Sequence, residues 1–152
     1  MNSIKSFLFA LLGTLLLLAT PLAQAENVQQ FGDYHVYYNA FNADYLSPEI
    51  ARNYNIERSS RRAVLNVVVR KSLGNGKDEP IAANITGTAT NLNAQLRSLT
   101  LREVKEGSGA IYYLADFPIT SQETLDFNLK ITPQGSTHTF DVKFRQQFYV
   151  QP

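Results

Sequence analysis

The chain has no cysteine among its 152 residues. That absence excludes a disulfide framework, a thiolate metal site and a cysteine nucleophile, so stability must come from the core and the backbone ladders. Charge of one sign is also missing, with 14 lysines and arginines against 13 aspartates and glutamates. No long-range field exists to recruit nucleic acid or an anionic membrane. A long apolar run is the third absence. The one run present, Phe7 to Ala19, spans 13 residues, whereas a membrane-spanning helix needs about 20. Outside that run the chain carries no repeats, charge blocks or low-complexity stretches.

What the N-terminus does carry is a secretory pattern. Asn2 and Lys5 lead into the apolar run, Thr20-Pro21-Leu22 breaks it, and Ala23-Gln24-Ala25 follows as an A-x-A cleavage signature. The expectation is a cleaved signal peptide over 1–25 and a single exported domain over 26–152, with no membrane anchor, because the cleavage site offers no cysteine to carry a lipid. Removing 25 residues from 152 leaves 127, enough to bury one sandwich core. The signal takes with it one of the 14 basic side chains, Lys5, so that 13 basic groups face 13 acidic ones.

From Tyr34 onward, alternation with a period of two dominates, the mark of half-buried strands. It is clearest at the end. Leu125, Phe127, Leu129 and Ile131 are separated by Asp126, Asn128 and Lys130, and after Pro133-Gln134-Gly135 the residues Phe140, Val142 and Phe144 alternate with Asp141, Lys143 and Arg145. That is a hairpin with one apolar and one wet face. Val64 to Val69 reads as a central strand, its apolar run broken only by Asn66. Gly74-Asn75-Gly76 and Gly107-Ser108-Gly109 read as turns. Further strands are expected at Tyr34 to Phe41, Ile81 to Thr90, Leu96 to Lys105 and Ala110 to Phe117. The fold class is therefore all-β: a single antiparallel, immunoglobulin-like β-sandwich of about seven strands. Ser47-Pro48-Glu49 signals one short helix between the first and second strands, with a serine N-cap, proline at the first helical position and an acid in the first turn. It is expected to lie over one end of the sandwich, with Ile50, Ala51 and Tyr54 as its inner face.

The segments Phe31-Gly32-Asp33-Tyr34, Tyr38-Asn39-Ala40-Phe41, Leu46-Ser47-Pro48-Glu49, Tyr54-Asn55-Ile56 and Arg58-Ser59 resemble the opening of a family of exported bacterial domains of unknown function. The closing Phe144-Arg145-Gln146-Gln147-Phe148-Tyr149 resembles that family's last strand, so the likeness covers the whole mature chain. It implies a periplasmic protein of Gram-negative bacteria and supplies no reaction or ligand. Members resembling this chain often carry histidine near the position of Tyr37, which argues against a catalytic histidine there in this chain.

Residues able to do chemistry are sparse. The two histidines, His35 and His138, each have a carboxylate within three residues, Asp33 and Asp141. If the first and last strands are neighbours, these four groups can be imagined around a transition metal, although the spacing matches no metal signature. Ser108 lies between glycines, but a nucleophile elbow needs a strand-to-helix turn rather than a hairpin. The acids Asp78-Glu79 and Glu103 with Glu106 sit in or beside turns, without the apolar surroundings that raise a catalytic acid's pKa. Gly74-Asn75-Gly76-Lys77 lacks the Walker spacing and a following helix. Asn84-Ile85-Thr86 fits the glycosylation pattern but reads as ordinary strand.

The richest segment is the first third of the mature chain. Tyr34, Tyr37, Tyr38, Phe41, Tyr45 and Tyr54 crowd around Asn39, Asn42, Asn53, Asn55 and Arg58. Rings with polar tips beside amide side chains suit the recognition of sugars, peptides or proteins. On alternating positions about half of these rings should instead face the core. Arg58, Arg61 and Arg62 form the one basic cluster; a guanidinium there can grip a carboxylate, but structural pairing within the domain is the stronger reading. The sequence thus favours a non-enzymatic binding or accessory module that uses Tyr37, Asn39, Tyr54 and Arg58, takes a protein or peptide of the cell envelope as partner, and needs no cofactor. The alternatives are a metal-dependent or other accessory enzyme built on His35 and His138, and a carrier that shelters a small apolar ligand between its sheets.

Overall fold

The alternating pattern becomes ten strands. The computed structural model describes residues 27–152, and the expected signal segment over 1–25 lies outside the described residues. In chain order the strands are β1 (Val28–Phe31), β2 (Tyr34–Asn42), β3 (Arg62–Gly74), β4 (Lys77–Pro80) and β5 (Ala83–Asn91). They continue as β6 (Leu96–Leu99), β7 (Arg102–Lys105), β8 (Ile111–Pro118), β9 (Glu123–Pro133) and β10 (Phe140–Phe148). One helix, α1 (Pro48–Asn53), and a 3-10 turn over Ala43–Tyr45 stand between β2 and β3. The larger sheet runs β1-β2-β3-β8-β7, with β4 also paired to β3, and the smaller runs β10-β9-β5-β6. Every pairing is antiparallel.

The inner faces follow the alternation. Val36 and Ala40 of β2, Leu65, Val67 and Val69 of β3, and Tyr113, Ala115 and Phe117 of β8 meet Leu125, Phe127, Leu129 and Ile131 of β9 and Val142 and Phe148 of β10. Aromatic stacking runs both between and within the layers. Tyr38 of the larger sheet stacks on Phe144 at 4.4 Å between centroids, and Phe144 stacks on Phe127 at 4.5 Å, each such pair adding about 0.5–1.5 kcal/mol beyond the area it buries. Along the seam between β2 and β10, side-chain amides satisfy backbone carbonyls: Gln146 Nε2 donates to Ala40 O at 2.6 Å and Asn42 Nδ2 to Tyr149 O at 2.7 Å.

Three expectations about the architecture change. About seven strands become ten because β1 and β4 are four-residue pairings too short to print a pattern, and because Leu96 to Lys105 is two strands rather than one. Strand β6 belongs to the smaller sheet and β7 to the larger. Leu99 and Leu101 both point to the core across the break, so the alternation runs through the crossover without a signal. The helix does not cap an end of the sandwich. Phe41, Val64, Leu114, Tyr112 and Val104 make the outer face of the larger sheet apolar, and the segment carrying α1 folds onto them, burying Ala43 and Ile56 in a second, smaller core. Of the expected inner face of α1, Ala51 is buried and Tyr54 half-buried, but Ile50 is exposed.

Candidate functional site

The outer faces of the two sheets differ in chemistry. On the smaller sheet the outward positions are Thr86, Thr88, Ser98 and Asn128 with the ion pairs Lys130–Asp141 at 2.8 Å and Arg145–Asp126 at 2.6 Å. That is a solvated face. On the larger sheet, the register aligns His35 with Arg70, Tyr37 with Val68, Asn39 with Asn66, and Phe41 with Val64. Beyond β3, Asn66 faces Leu114 of β8, which faces Arg102 of β7. Rings and aliphatic side chains here interleave with amides.

The segment from Ala43 to Ile56 covers part of that face, and local sequence explains why it holds its shape. Ser47 Oγ accepts from the Ile50 N–H at 3.2 Å and starts α1. At the other end Asn55 takes a positive φ of 53°, its N–H donates to Arg52 O at 3.2 Å, and the Ile56 N–H donates to Ala51 O at 2.8 Å. These two bonds are a Schellman termination with asparagine in the left-handed position, and Ala51 and Ile56 on its two sides are both buried. The segment is then tied down. Arg102 Nη1 donates to Tyr54 O at 2.9 Å, the Tyr54 hydroxyl donates to Glu106 Oε1, and Arg58 donates through Nε to Leu46 O at 2.7 Å and through Nη2 to Asp44 O at 3.2 Å. The Glu106 bond, with partial desolvation and the nearby negative charge, raises the Tyr54 pKa above the ordinary tyrosine value.

Between this segment and the sheet lies a recess of about 180 Å³. Phe41, Val64 and Leu114 line it from the sheet, Leu46, Ile50, Tyr54 and Ile56 from the covering segment, and Asn66, Glu106 and Tyr112 complete it. Asn66 Oδ1 is buried with no hydrogen-bond partner, as are His35 Nδ1 and Arg102 Nη2 elsewhere on the same sheet.

The candidates read from sequence are distributed as follows. Tyr37, half-buried, and Asn39, exposed, point outward from β2 beside the recess, whereas Tyr34 and Tyr38 turn inward onto Phe140 and Phe144. Tyr54 is a wall of the recess. Arg58 spends its guanidinium on backbone carbonyls, Arg62 pairs with Asp116, and Asn55 ends the helix. His35 lies on the outer face of the larger sheet, close to Tyr37 with ring centroids 6.5 Å apart, while His138 is exposed in the β9–β10 turn of the smaller sheet. Asp141 pairs with Lys130 and Asp78 with Arg70. Glu103 accepts from the Tyr113 hydroxyl at 2.7 Å. Ser108 is an exposed residue of the β7–β8 hairpin. Among the described residues no three His, Asp or Glu side chains come together as a metal site requires. The residues that sequence reasoning passed over are Asn66, Leu114 and Glu106 as a group. The one signal for them was Asn66 itself, a lone amide in an apolar strand.

The sequence matches the family described as DUF4426, domain of unknown function, over residues 28–151. A crystal structure of a DUF4426 protein from Pseudomonas aeruginosa is similar at a TM-score of 0.72 and 37% identity, covering 86% of this chain and 99% of that one. FetP from uropathogenic Escherichia coli strain F11 shares the fold at a TM-score of 0.59 and 11% identity, covering 84% of this chain and 95% of its own. A copper-bound variant of FetP is similar at 0.58 and 14%, covering 84% of this chain and 97% of its own. No curated protein matches the chain.

Proposed function

Because the chain belongs to the DUF4426 family of Gram-negative bacterial domains, we propose from that premise and from its surface that it is an exported periplasmic module that binds a protein or peptide of the cell envelope. The carrying observation is the contrast between the two outer faces. The smaller sheet spends its outward side chains on ion pairs and threonines, whereas the larger sheet, which also carries the ion pairs Arg62–Asp116 and Arg70–Asp78, leaves Tyr37, Val68 and Asn39 beside one another outside the recess. A half-buried ring beside an exposed amide gives a partner apolar area together with directional hydrogen bonds. Export is supported by the signal pattern ending at Ala25. Tyr37 and Asn39 remain the recognition residues of this reading; Arg58 leaves it, since its donors serve Leu46 and Asp44.

The test compares the parent with a Tyr37→Ala, Asn39→Ala double variant in pull-downs from an envelope extract, with thermal melting of both. A partner held by the parent and lost by an equally stable variant supports the module. Retention by the variant, or loss of fold along with binding, removes this face from the account. The copper carried by the FetP variant belongs to that protein. A metal-dependent role here would draw on His35 and His138, which stand on different sheets, and among the described residues neither belongs to a group of three His, Asp or Glu side chains.

A further inference from the structure

The recess beneath α1 is a small, mostly apolar hollow partly open to solvent. Its volume of about 180 Å³ is close to that of an apolar protein cavity of roughly 150 Å³ that takes up benzene. Seven of the side chains around it, Phe41, Leu46, Ile50, Tyr54, Ile56, Val64 and Leu114, present carbon surface. One lining residue, Asn66, holds one of six buried side-chain atoms that lack a hydrogen-bond partner among the described residues. Asn66 Oδ1 is buried, accepts nothing, and stands in the middle of β3, where Val64 and Val68 are its same-face neighbours. A buried acceptor without a donor is destabilising, and natural folds remove most of them. The opposite wall is held firmly: Tyr54 is fixed at both ends, its carbonyl by Arg102 and its hydroxyl by Glu106.

We propose that this recess binds a small neutral molecule of about one ring that carries a single O–H or N–H donor, the ring packing between Leu114, Phe41 and Tyr54 and the donor bonding to Asn66. The terminal torsion of an asparagine is broad and soft, so turning the amide toward the guest satisfies the acceptor at little expense. The inference is independent of the partner-binding reading, which rests on Tyr37 and Asn39 outside the recess.

The test uses isosteric probes on the protein spanning the described residues, which form a complete two-sheet sandwich. Phenol, toluene and anisole are titrated while the backbone amide resonances of Ile56, Asn66 and Leu114 are followed by NMR. A merely greasy hollow ranks toluene first, because toluene leaves water more readily than phenol. A recess that bonds the hydroxyl reverses that order, and we expect phenol to bind about fivefold or more tightly than either analogue, the value of one net hydrogen bond. In Asn66→Leu the order should return to toluene first, while the melting temperature rises because an unsatisfied buried acceptor has gone. Toluene ahead of phenol in the parent protein, no saturable shifts at these residues, or an unchanged preference in Asn66→Leu overturns the proposal. The probe ranking on the parent is decisive even if the variant folds poorly.

Discussion

Replacing Gly87 by alanine should destabilise the sandwich, although alanine is the less flexible residue and Gly87 has ordinary strand backbone. Gly87 sits in β5, one of the two inner strands of the smaller sheet, opposite Leu129 on one side and Leu99 on the other. A Cβ built there lies 2.8 Å from Leu129 Cδ2, 3.4 Å from Leu101 Cδ1 and 3.7 Å from Leu99 Cβ. Carbon pairs prefer about 3.5–4.0 Å, so the first contact is too close by more than half an ångström. Leu129 is fully buried among the rings and aliphatics of the main core, so its methyl moves only if its neighbours move. Overpacking of this size is worth about 1–3 kcal/mol. The lower entropy of the unfolded alanine chain returns about 0.4–1 kcal/mol, leaving a net loss centred on about 1 kcal/mol and reaching at most about 2.6 kcal/mol by these terms. Urea unfolding should show this as a lower midpoint at unchanged slope. The decisive arm is the Leu129→Ala background, itself about 2–5 kcal/mol less stable. There the added methyl enters vacated space, and Gly87→Ala should become neutral or stabilising, a coupling of about 1 kcal/mol or more. Equal losses from Gly87→Ala in both backgrounds would refute the steric argument.

Other perturbations test other parts of the structure. Tyr113→Phe removes a hydroxyl that accepts from the Ala83 N–H at 2.7 Å and donates to Glu103 at 2.7 Å; a loss of about 1–3 kcal/mol is expected in urea unfolding. Burial first, countered by the Ala83 N–H and reinforced by the bond to Glu103, pushes the Tyr113 pKa up to about 12. Its contribution is therefore intact below the ordinary tyrosine value of about 10 and is lost as pH rises through the folded value; Tyr113→Phe should flatten that alkaline limb of the stability profile. Burial pushes Glu123 up, but Arg97, the Thr120 N–H and Asn91 outweigh it and hold the carboxyl below the usual range. Its stabilisation is present above about pH 4.3, the unfolded value, and is lost as pH falls through the depressed one, so Glu123→Gln should lower stability at neutral pH and narrow the gap to the parent in acid. Arg58→Met should speed amide exchange at Tyr54 and Ile56 about fivefold, one net hydrogen bond's worth, and leave exchange at Leu129 unchanged, since Arg58 ties only the covering segment. Faster exchange at both places would mean that segment and sandwich open as one unit.

Much of this architecture was legible because strand periodicity is a local property. The hairpin of β9 and β10, the Gly74-Asn75-Gly76 turn, where all three residues have positive φ, and the Ser47 cap of α1 are each written in a few adjacent residues. The crossover at Thr100 was not, because Leu99 and Leu101 keep pointing to one core while their strands change sheets. The candidate site was half legible. Tyr37 and Asn39 fall on outward positions of β2 by alternation alone, yet the same alternation is silent on whether an outward face stays open.

The sequence by itself determined an all-β chain with a capped short helix and no cysteine chemistry, since propensity, turn residues and alternation act over neighbours. Only the tertiary structure decided where α1 lies and what it encloses. Phe41, Asn66 and Leu114 come from three strands, Tyr54 from the covering segment and Glu106 from a hairpin turn, and no interval along the chain relates them. Their meeting is set by the lateral order of β2, β3, β8 and β7 in one sheet and by the need of that sheet's outer apolar side chains to be covered.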